Sequence, residues 1–453
     1  MQKQTAPPPV KCLRIALIGY GSVGQALVEM LRDRADDLAH SHRVRFDIAC
    51  VFTRRKGFAA SAQQSGALAY DWLIDVYQRG DYAPLTQQPL PTMQALQRQY
   101  GVDIVIETTP AVYATGEPAL SLAEAALSTG MHLVTANKAV VVHGYGDRLR
   151  AWGSARAADA GLPLFLFESA VMDGVPIFNL AKYGLGGARI TGFRGVLNST
   201  CNFILTRMEA TRCSLEEALA MCQQLGITET DPTGDIDGHD SQVKTCALAS
   251  VLLKANSLAR GLMPNAADNH LDDTDNLEHP KTASSAAHHH SSPTHHSSSA
   301  THHQSSQALG GSIRAVTLAQ IDDAKNLRGT RLKVVCEALF NESNSPQERA
   351  ANIAEKKLEH EQEEGQDQKQ ERAPERGFDL GPEPHTTLDL SVKLVEVTAD
   401  NVFYHLAGAS SAIEIYTQEL APICITSTEP TTSDTAFGVL ADCLEIAASV
   451  GCR

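Results

Sequence analysis

Short apolar runs alternate with amphipathic stretches over residues 1–168 of the chain. Strands alternating with helices are typical of a parallel sheet with crossover helices, and strands buried on both faces are apolar at consecutive positions. Several of the predicted strands have that character, and they span residues 13–18, 45–52, 103–106, 132–134 and 164–167. This part of the chain therefore predicts an α/β domain built on a parallel sheet.

The pattern becomes less regular beyond this first part. Residues 189–197 alternate loosely between apolar and polar positions, as in a half-exposed strand. A helix is predicted after Ser214, whose hydroxyl can form a capping box with Glu217. Gly226 is expected to end that helix.

Two segments lack the apolar content of a folded domain. Residues 257–309 are rich in serine and histidine, and residues 341–378 are dense in glutamate, glutamine, lysine and arginine. Because neither can bury enough apolar surface to fold alone, we interpret the first as a disordered insertion and the second as a charged insertion, which could form a solvated helix. A metal-binding role for the histidine tract is the less favoured alternative.

Composition narrows the class of protein. The 453 residues are 43% hydrophobic, which permits two or three domains with a sizeable core. The net charge of −15 argues against a nucleic acid or an anionic membrane as partner, because either would require a clustered basic face. Ten scattered cysteines without a Cys-x-x-Cys pair predict reduced thiols and a cytoplasmic protein. We find no apolar stretch long enough to span a bilayer, and residues 1–9 do not resemble a targeting leader.

A glycine-rich turn follows the first predicted strand directly. Residues 19–24 read Gly-Tyr-Gly-Ser-Val-Gly and open an amphipathic stretch. In that context the first glycine permits a tight turn, the second lets backbone N–H groups approach a pyrophosphate, and the third lets helix and strand pack closely. The alternative, glycines that serve only the turn, is disfavoured by the context. The predicted dinucleotide-binding residues are Gly19, Gly21, Ser22, Val23 and Gly24.

The second predicted strand ends in the basic sequence Thr-Arg-Arg-Lys at residues 53–56. An NAD-selective site usually carries an aspartate or glutamate there for the ribose hydroxyls. Arginine can instead pair with a 2′-phosphate, so Arg54 and Arg55 favour NADP, with NAD as the other candidate. A solvated basic loop is the alternative interpretation.

An acidic loop is the most informative stretch of the chain. Residues 226–244 hold five carboxylates and one lysine, and the apolar positions that follow predict a helix beginning near Gly238. Asp240 and Lys244 then stand one helical turn apart on one face and can act together. On this feature alone, a surface ion pair is the favoured interpretation.

The chain resembles the homoserine dehydrogenase family in five motifs that occur in the family's order. They are the glycine turn, Thr-Ala-Asn-Lys at 135–138, a Glu-x-x-x-x-Gly-x-Pro turn at 168–176, an Asn-x-Thr-x-Asn helix start at 198–202, and the acidic loop at 229–244. The resemblance covers roughly residues 11–256, resumes weakly at 311–339, and returns at 406–413 and in the last predicted helix.

The resemblance implies reversible oxidation of homoserine to aspartate 4-semialdehyde, in the pathway to threonine, isoleucine and methionine. Lys244 matches the family's acid/base lysine, and we expect its enclosure to bring its pKa nearer neutrality. Asp240 would hold the substrate and orient that ammonium. Glu229 would bind the substrate's amino group. Lys138 is a second acid/base candidate that also approaches substrate and cofactor, and Asp235 joins the expected substrate-binding residues.

Two further sites follow from the resemblance. Thr109 matches a family position that contacts the cofactor. Family members can bind a monovalent cation, usually sodium, largely through backbone carbonyls. The matching residues here are Glu168, Val171, Asp173 and Val175.

The implied architecture is a Rossmann domain plus an α+β catalytic and dimerisation domain with a mainly antiparallel sheet. The first comprises residues 1–168 completed by a helix at 430–453, and the second comprises residues 169–256 and 310–429. We expect a monofunctional homodimer. Relatives carry a Gly-Ala-Gly turn before their last helix, whereas this chain has Glu-Pro-Thr-Thr-Ser-Asp at 429–434. A backbone contact to the cofactor is therefore in doubt there.

The sequence leaves two alternative functions open. The first is another amino-acid-linked NAD(P) dehydrogenase with different recognition around Glu229. The second is a non-catalytic, cofactor-binding regulatory protein. The presence of Lys138, Glu229, Asp240 and Lys244 together favours an enzyme, because a protein released from catalysis need not retain all four.

Overall fold

The computed structural model describes most of the chain with defined gaps. The described residues are 9–61, 66–80, 82, 88–153, 161–228, 231–255, 263, 311–341 and 387–451. Three sequence predictions fall outside them. These are Glu229, the insertion at 257–309 apart from Met263, and the insertion at 341–378 apart from Asn341.

Eleven strands are found in the described part of the chain. They are β1 (Lys11–Ile18), β2 (Val44–Thr53), β3 (Gly57–Ala60), β4 (Ile104–Glu107), β5 (His132–Thr135), β6 (Phe165–Leu166), β7 (Ile190–Val196), β8 (Arg331–Asn341), β9 (Thr387–Val397), β10 (Ser411–Thr417) and β11 (Ile423–Ser427).

The α-helices of the same residues are numbered in chain order. They are α1 (Ser22–Asp33), α2 (Ala35–Ser41), α3 (Tyr70–Gln78), α4 (Met93–Tyr100), α5 (Ala119–Ser128), α6 (Lys138–His143), α7 (Arg150–Gly153), α8 (Ile177–Asn179), α9 (Ser199–Thr211), α10 (Leu215–Gln224), α11 (Thr233–Ile236), α12 (His239–Leu252), α13 (Leu318–Asp322) and α14 (Thr432–Ser449). Single π-helical or 3-10 turns lie at Gly144–Arg148, Glu168–Ala170, Leu180–Gly184, Asp323–Leu327 and Val402–His405.

The first sheet confirms the predicted parallel α/β fold. Within the described residues its strand order is β3-β2-β1-β4-β5-β6, and every neighbouring pair is parallel except β2 with β3. Helices cover both faces, which explains why the central strands are apolar at consecutive positions. The carboxyl ends of β1, β4 and β5 therefore lie side by side at one edge, where doubly wound folds bind their ligands.

The second sheet confirms the predicted antiparallel architecture. Its order in the described residues is β11-β10-β7-β8-β9, with antiparallel pairing throughout. Helices α9 and α12 pack on β8, and their apolar side chains share one hydrophobic cluster with α5 and α6 of the first sheet. The two sheets are thus joined through α6 and α12, the helices that carry Lys138 and Lys244.

The last helix returns to the first sheet. Helix α14 packs against α1, and its buried side chains join the cluster of β1, β2 and α1. It also lies against the turn after β6, where a Cβ on Gly174 would come within 2.1 Å of the Asp434 carbonyl oxygen. A Cβ on Gly438 would lie 3.0 Å from the Ser169 Cβ. Glycine is required where these two backbones meet.

Among the residues that the structure describes, no helix is both long and apolar enough for a bilayer span.

Candidate active site

The glycine turn forms a cradle at the end of β1. Gly19 has φ of +99°, and a Cβ there would meet the Thr108 backbone at 2.6 Å. A Cβ on Gly24 would lie 2.8 Å from the Gly19 carbonyl oxygen, so both positions require glycine. Around Gly21, by contrast, no described atom lies within 4 Å of an added Cβ. Helix α1 begins at Ser22 without a side-chain cap, so its first N–H groups face this open space.

The predicted 2′-phosphate residues lie at the same sheet edge. Arg54 and Arg55 occupy the turn between β2 and β3, and both are exposed. They are near the glycine turn because β1 and β2 are parallel neighbours in which Ile18 pairs with Phe52. Their contact with a cofactor stays a prediction.

A buried glutamate missed at the sequence level organises the end of β4. Glu107 is 1% exposed, and its carboxylate accepts hydrogen bonds from the Thr109 N–H at 2.8 Å and from the Thr135 hydroxyl at 2.6 Å. The Thr109 hydroxyl donates to it as well. Burial raises the pKa of Glu107, and these donors only partly oppose that effect. The one available signal was a glutamate ending the apolar run at 104–107.

The same network fixes the start of α6. The Thr135 hydroxyl accepts the Asn137 N–H at 3.0 Å, and the Asn137 side chain caps the helix by accepting the Ala139 N–H at 3.1 Å. Lys138 is the first residue of that helix. We call Glu107, Thr109, Thr135 and Asn137 the threonine-glutamate network.

Two lysines from different parts of the chain meet on one carboxylate. The Asp240 Oδ1 atom lies 3.1 Å from the Lys138 Nζ, and its Oδ2 atom lies 2.8 Å from the Lys244 Nζ. The Lys244 ammonium also donates to the Leu197 carbonyl oxygen at 3.0 Å. Because α6 follows β5 whereas α12 packs on the antiparallel sheet, this contact joins the two sheets at the site.

Electrostatics keep all three groups charged. Burial alone would raise the pKa of Asp240, but the Lys244 and Lys138 ammonium groups outweigh it and hold that pKa well below its usual range. Burial opposes the charge on Lys138, yet Tyr113 and Asp240 raise its pKa. The same holds for Lys244, where Asp240 outweighs burial and the pKa is raised. The expectation that enclosure would bring Lys244 nearer neutrality was wrong, because its counter-ion is buried with it.

An asparagine joins Asp240 to a second carboxylate. The Asn198 amide nitrogen donates to Asp235 Oδ1 at 2.7 Å and to Asp240 Oδ2 at 2.9 Å. Asp235 also accepts from the Thr228 hydroxyl at 2.9 Å. Burial and the nearby Asp240 charge raise the pKa of Asp235. We call Lys138, Asn198, Asp235, Asp240 and Lys244 the lysine-aspartate cluster.

The two carboxylates of the turn predicted to hold sodium are engaged in hydrogen bonds. The Glu168 carboxylate accepts the N–H groups of residues 178 and 179, each at 2.8 Å, and burial raises its pKa to about 7. Asp173 accepts the Thr435 hydroxyl at 3.0 Å. Across the described residues, no group of three or more His, Cys, Asp or Glu side chains is placed to hold a metal. A site built mainly from backbone carbonyls, including Val171 and Val175, stays a prediction.

The segment that replaces the glycine turn of relatives is a capped helix start. Glu429 has φ of +48°, and Thr431 forms a capping box with Asp434 at the beginning of α14. The Thr431 N–H donates to the Asp434 carboxylate at 2.7 Å. These side chains therefore bond to the start of α14 itself, and a cofactor contact at this segment stays untested.

Two family models match the chain over most of its length. A model described as homoserine dehydrogenase matches residues 176–444. A model described as the NAD-binding domain of homoserine dehydrogenase matches residues 19–161.

Named relatives agree with the family models. The NAD(+)-dependent homoserine dehydrogenase of Pseudomonas canavaninivorans is 34% identical over 243 residues, which are 53% of this chain and 66% of the relative. The homoserine dehydrogenase of Methanocaldococcus jannaschii is 31% identical over 242 residues, 53% and 69% of the two chains. That of Bacillus subtilis is 31% identical over 248 residues, 54% and 50%. The matched regions thus span between half and about two thirds of these relatives.

Solved structures share the fold. A homoserine dehydrogenase from Thiobacillus denitrificans has a TM-score of 0.62 at 20% identity, with 98% of this chain and 76% of that chain covered. One from Thermoplasma acidophilum has a TM-score of 0.61 at 16% identity, with 97% and 100% covered. At these identities the likeness concerns the fold.

Proposed function

The chain belongs to the homoserine dehydrogenase family, and from that premise we propose that it catalyses the reversible NAD(P)-dependent oxidation of L-homoserine to L-aspartate 4-semialdehyde. This reaction serves the synthesis of threonine, isoleucine and methionine. The observation that carries the proposal is the pair of ammonium groups held on Asp240, 3.1 and 2.8 Å from its two oxygens. An alcohol oxidation needs such a group to exchange a proton with the substrate oxygen.

The chain fits a nicotinamide dinucleotide at the glycine turn. The open space at Gly21 and the uncapped start of α1 suit a pyrophosphate, which a Cβ or a capping side chain would hinder. Residues expected to hold the cofactor are Gly19, Gly21, Ser22, Val23, Gly24, Thr109 and Lys138. When bound, the nicotinamide accepts or returns the substrate's hydride.

We propose a preference for NADP. It rests on Arg54 and Arg55 in the turn after β2 and on the absence of an acidic residue among positions 53–56. The relative from Pseudomonas canavaninivorans is NAD(+)-dependent by name, so NAD is the competing choice.

Lys244 is the proposed proton donor and acceptor. An ammonium has three N–H donors, and two of those on Lys244 bind the Leu197 carbonyl and Asp240. The third has no partner among the described residues, which leaves it for the substrate oxygen. In the reductive direction the charged Lys244 gives its proton to the carbonyl oxygen and becomes neutral, and the reverse transfer completes the oxidation. Lys138 is the second candidate for the same step.

Substrate recognition is assigned to the acidic side of the site. We propose that Glu229 and Asp235 bind the amino group of homoserine and that Asp240 with Lys138 orients its reacting end. Asp235 is suited to this because it lies close to Asp240: the Asn198 amide nitrogen donates hydrogen bonds to both.

The domain arrangement, the oligomeric state, a bound cation and the cellular location complete the proposal. We propose a cofactor domain of residues 1–168 completed by 430–453, and a catalytic and dimerisation domain of 169–256 with 310–429. We propose a homodimer and a sodium ion at the turn containing Glu168. A cytoplasmic location is supported by the cysteines, because all nine that the structure describes are free thiols.

The test is an absorbance assay of nicotinamide reduction with homoserine, run with NADP and NAD in parallel. We expect turnover with homoserine and none with the hydroxy acid of the same length that lacks the amino group. Serine and threonine serve as further controls. Failure to oxidise homoserine with either cofactor, or equal turnover of the deaminated analogue, contradicts the proposal.

A further inference from the structure

We propose that Asn198 is a positioning residue that holds the carboxylates of Asp235 and Asp240 side by side and thereby orients the two lysines of the cluster. The inference rests on the proposed function for its kinetic consequence. Its geometric basis is independent of the substrate.

Both N–H donors of the Asn198 amide and its oxygen are engaged in hydrogen bonds. Its Oδ1 atom accepts the Cys201 N–H at 2.7 Å and so caps α9. Its Nδ2 atom donates to Asp235 at 2.7 Å and to Asp240 at 2.9 Å. The residue is 2% exposed, so water does not compete for these contacts. One side chain therefore ties three helices together, namely α9, α11 with Asp235, and α12 with Asp240.

The contact fixes the rotation of the Asp240 carboxylate. Asn198 binds the Oδ2 atom, which is also the atom that accepts from Lys244. The Oδ1 atom is left for Lys138. If the carboxylate rotated about its axis, the two ammonium groups would lose their separate oxygens. Asn198 therefore helps to fix the plane of the Asp240 carboxylate, so that each lysine faces its own oxygen.

An amide is suited to this position for a chemical reason. Two carboxylates side by side repel each other, and an amide offers two N–H donors without a charge. A lysine in its place would neutralise one of them and alter the charge that faces the reacting lysines. A hydroxyl has a single donor and can bind only one carboxylate.

Variants that keep the acceptor of Asn198 but change its donors can distinguish the positioning role from helix capping. Serine and aspartate both cap helices well, so Asn198→Ser and Asn198→Asp retain the acceptor for the Cys201 N–H. Asn198→Ser loses the bridge, and Asn198→Asp replaces it with a third carboxylate. A matched capping control is Thr92→Ala, because Thr92 caps α4 at an exposed position by accepting the Ala95 N–H at 3.2 Å.

The experiment measures kcat, KM, the pH profile and Tm for wild type and the three variants. A hydrogen bond to a charged group is worth roughly a tenfold to hundredfold change in rate when it is used in the transition state. We expect Asn198→Ser to lose kcat by that factor and Asn198→Asp to lose more. The acid limb of kcat/KM should move to higher pH, since each lost donor had lowered the pKa of the carboxylate that it bound. Thr92→Ala should retain wild-type kcat.

A second measurement needs no substrate. Carbon NMR of protein labelled at the aspartate carboxyl carbons reports the titration of Asp235 and Asp240, assigned with Asp235→Asn and Asp240→Asn. We expect at least one of the two titrations to move to higher pH in Asn198→Ser, because a hydroxyl keeps a single donor for the pair. If wild type fails to oxidise homoserine, the proposed function falls and this measurement alone decides the role of Asn198.

Two results would overturn the inference. One is an Asn198→Ser protein whose kcat and pH profile match wild type. The other is a loss of activity that follows the loss of folded protein, with unchanged aspartate titrations, because that result assigns Asn198 to capping only.

Discussion

Two buried carboxylates at the site, Glu107 and Asp240, differ in their neighbours and therefore in the direction in which their pKa values are shifted. Both are less than a tenth exposed. The donors around Glu107 are hydroxyl and backbone N–H groups, and burial raises its pKa. Asp240 contacts two ammonium groups, which overcome burial and lower its pKa. Burial alone therefore does not decide whether the pKa of a carboxylate is raised or lowered.

The two groups of residues around these carboxylates are suited to different roles. The threonine-glutamate network joins the ends of β4 and β5 through uncharged donors and so holds the backbone in place. The lysine-aspartate cluster concentrates charge where we propose that the proton is transferred. The following variants test that contrast, from the largest expected effect to the smallest.

Removing the proposed proton donor, Lys244, from the lysine-aspartate cluster should have the largest effect on catalysis. We expect Lys244→Ala to lower kcat by roughly a hundredfold to ten-thousandfold, the usual range for general acid-base catalysis. Cofactor binding and folding should persist, because Asp240 keeps Lys138 and Asn198. Steady-state kinetics with a cofactor titration and Tm provide the measurement. The control is Lys325→Ala, which removes a half-exposed ion pair with Glu209, and wild-type turnover by Lys244→Ala would exclude this lysine.

Replacing Asp240 with a neutral residue should reverse the direction of the pKa shift of Lys244. Burial opposes the charge on Lys244, and the carboxylate outweighs it. In Asp240→Asn burial and the Lys138 charge remain, so the pKa of Lys244 falls. We expect kcat to drop about a hundredfold. The alkaline limb of aldehyde reduction should move to lower pH, since the lysine loses its proton earlier. An alkaline limb that stays in place would mean that Asp240 does not control Lys244.

Removing the exposed arginines tests the cofactor side without touching its buried network. The double variant Arg54→Ala/Arg55→Ala should raise KM for NADP by about tenfold, the contribution of a charge-assisted hydrogen bond. KM for NAD should change little, because NAD has no 2′-phosphate. Parallel kinetics with both cofactors give the ratio. An unchanged ratio contradicts the assignment of these arginines.

Glu107→Gln should have the smallest effect and so sharpens the contrast. A glutamine oxygen can still accept from Thr109, and the Thr135 hydroxyl can rotate to accept from the new amide. We expect kcat to fall less than about tenfold, with roughly 1 to 3 kcal/mol of stability lost. The pH limbs should stay where they are, because this carboxyl sets no lysine pKa. A pH limb displaced in Glu107→Gln would show that the charge of the threonine-glutamate network influences the groups that titrate during the reaction.

The fold was largely predictable because apolar runs and helical periodicity are local. Each strand predicted up to residue 168 is present with small shifts at its ends. Strand β3 was missed, since four residues at Gly57–Ala60 carry too little pattern to distinguish an edge strand from a loop. Helix α14 was predicted, and its packing on α1 is a contact between distant parts of the chain.

Site residues were predictable from the sequence only where they belong to a recognised motif. Lys138 and Asp240 were recognised separately, but their 3.1 Å contact spans a hundred residues of chain and leaves no local trace. Glu107 and the bridging contacts of Asn198 were missed for the same reason. The direction of the Lys244 pKa was predicted wrongly, because burial was considered without its buried counter-ion.

The return of α14 to the first sheet has a consequence for the order of folding. Helix α14 covers a face of the cluster formed by β1, β2 and α1, and the Lys11 ammonium donates to the Val450 carbonyl oxygen at 2.9 Å. During synthesis, the amino-terminal sheet therefore emerges long before the helix that seals it. We expect that sheet to expose apolar surface until α14 has emerged from the ribosome, so its consolidation waits for a segment made more than 400 residues after β1.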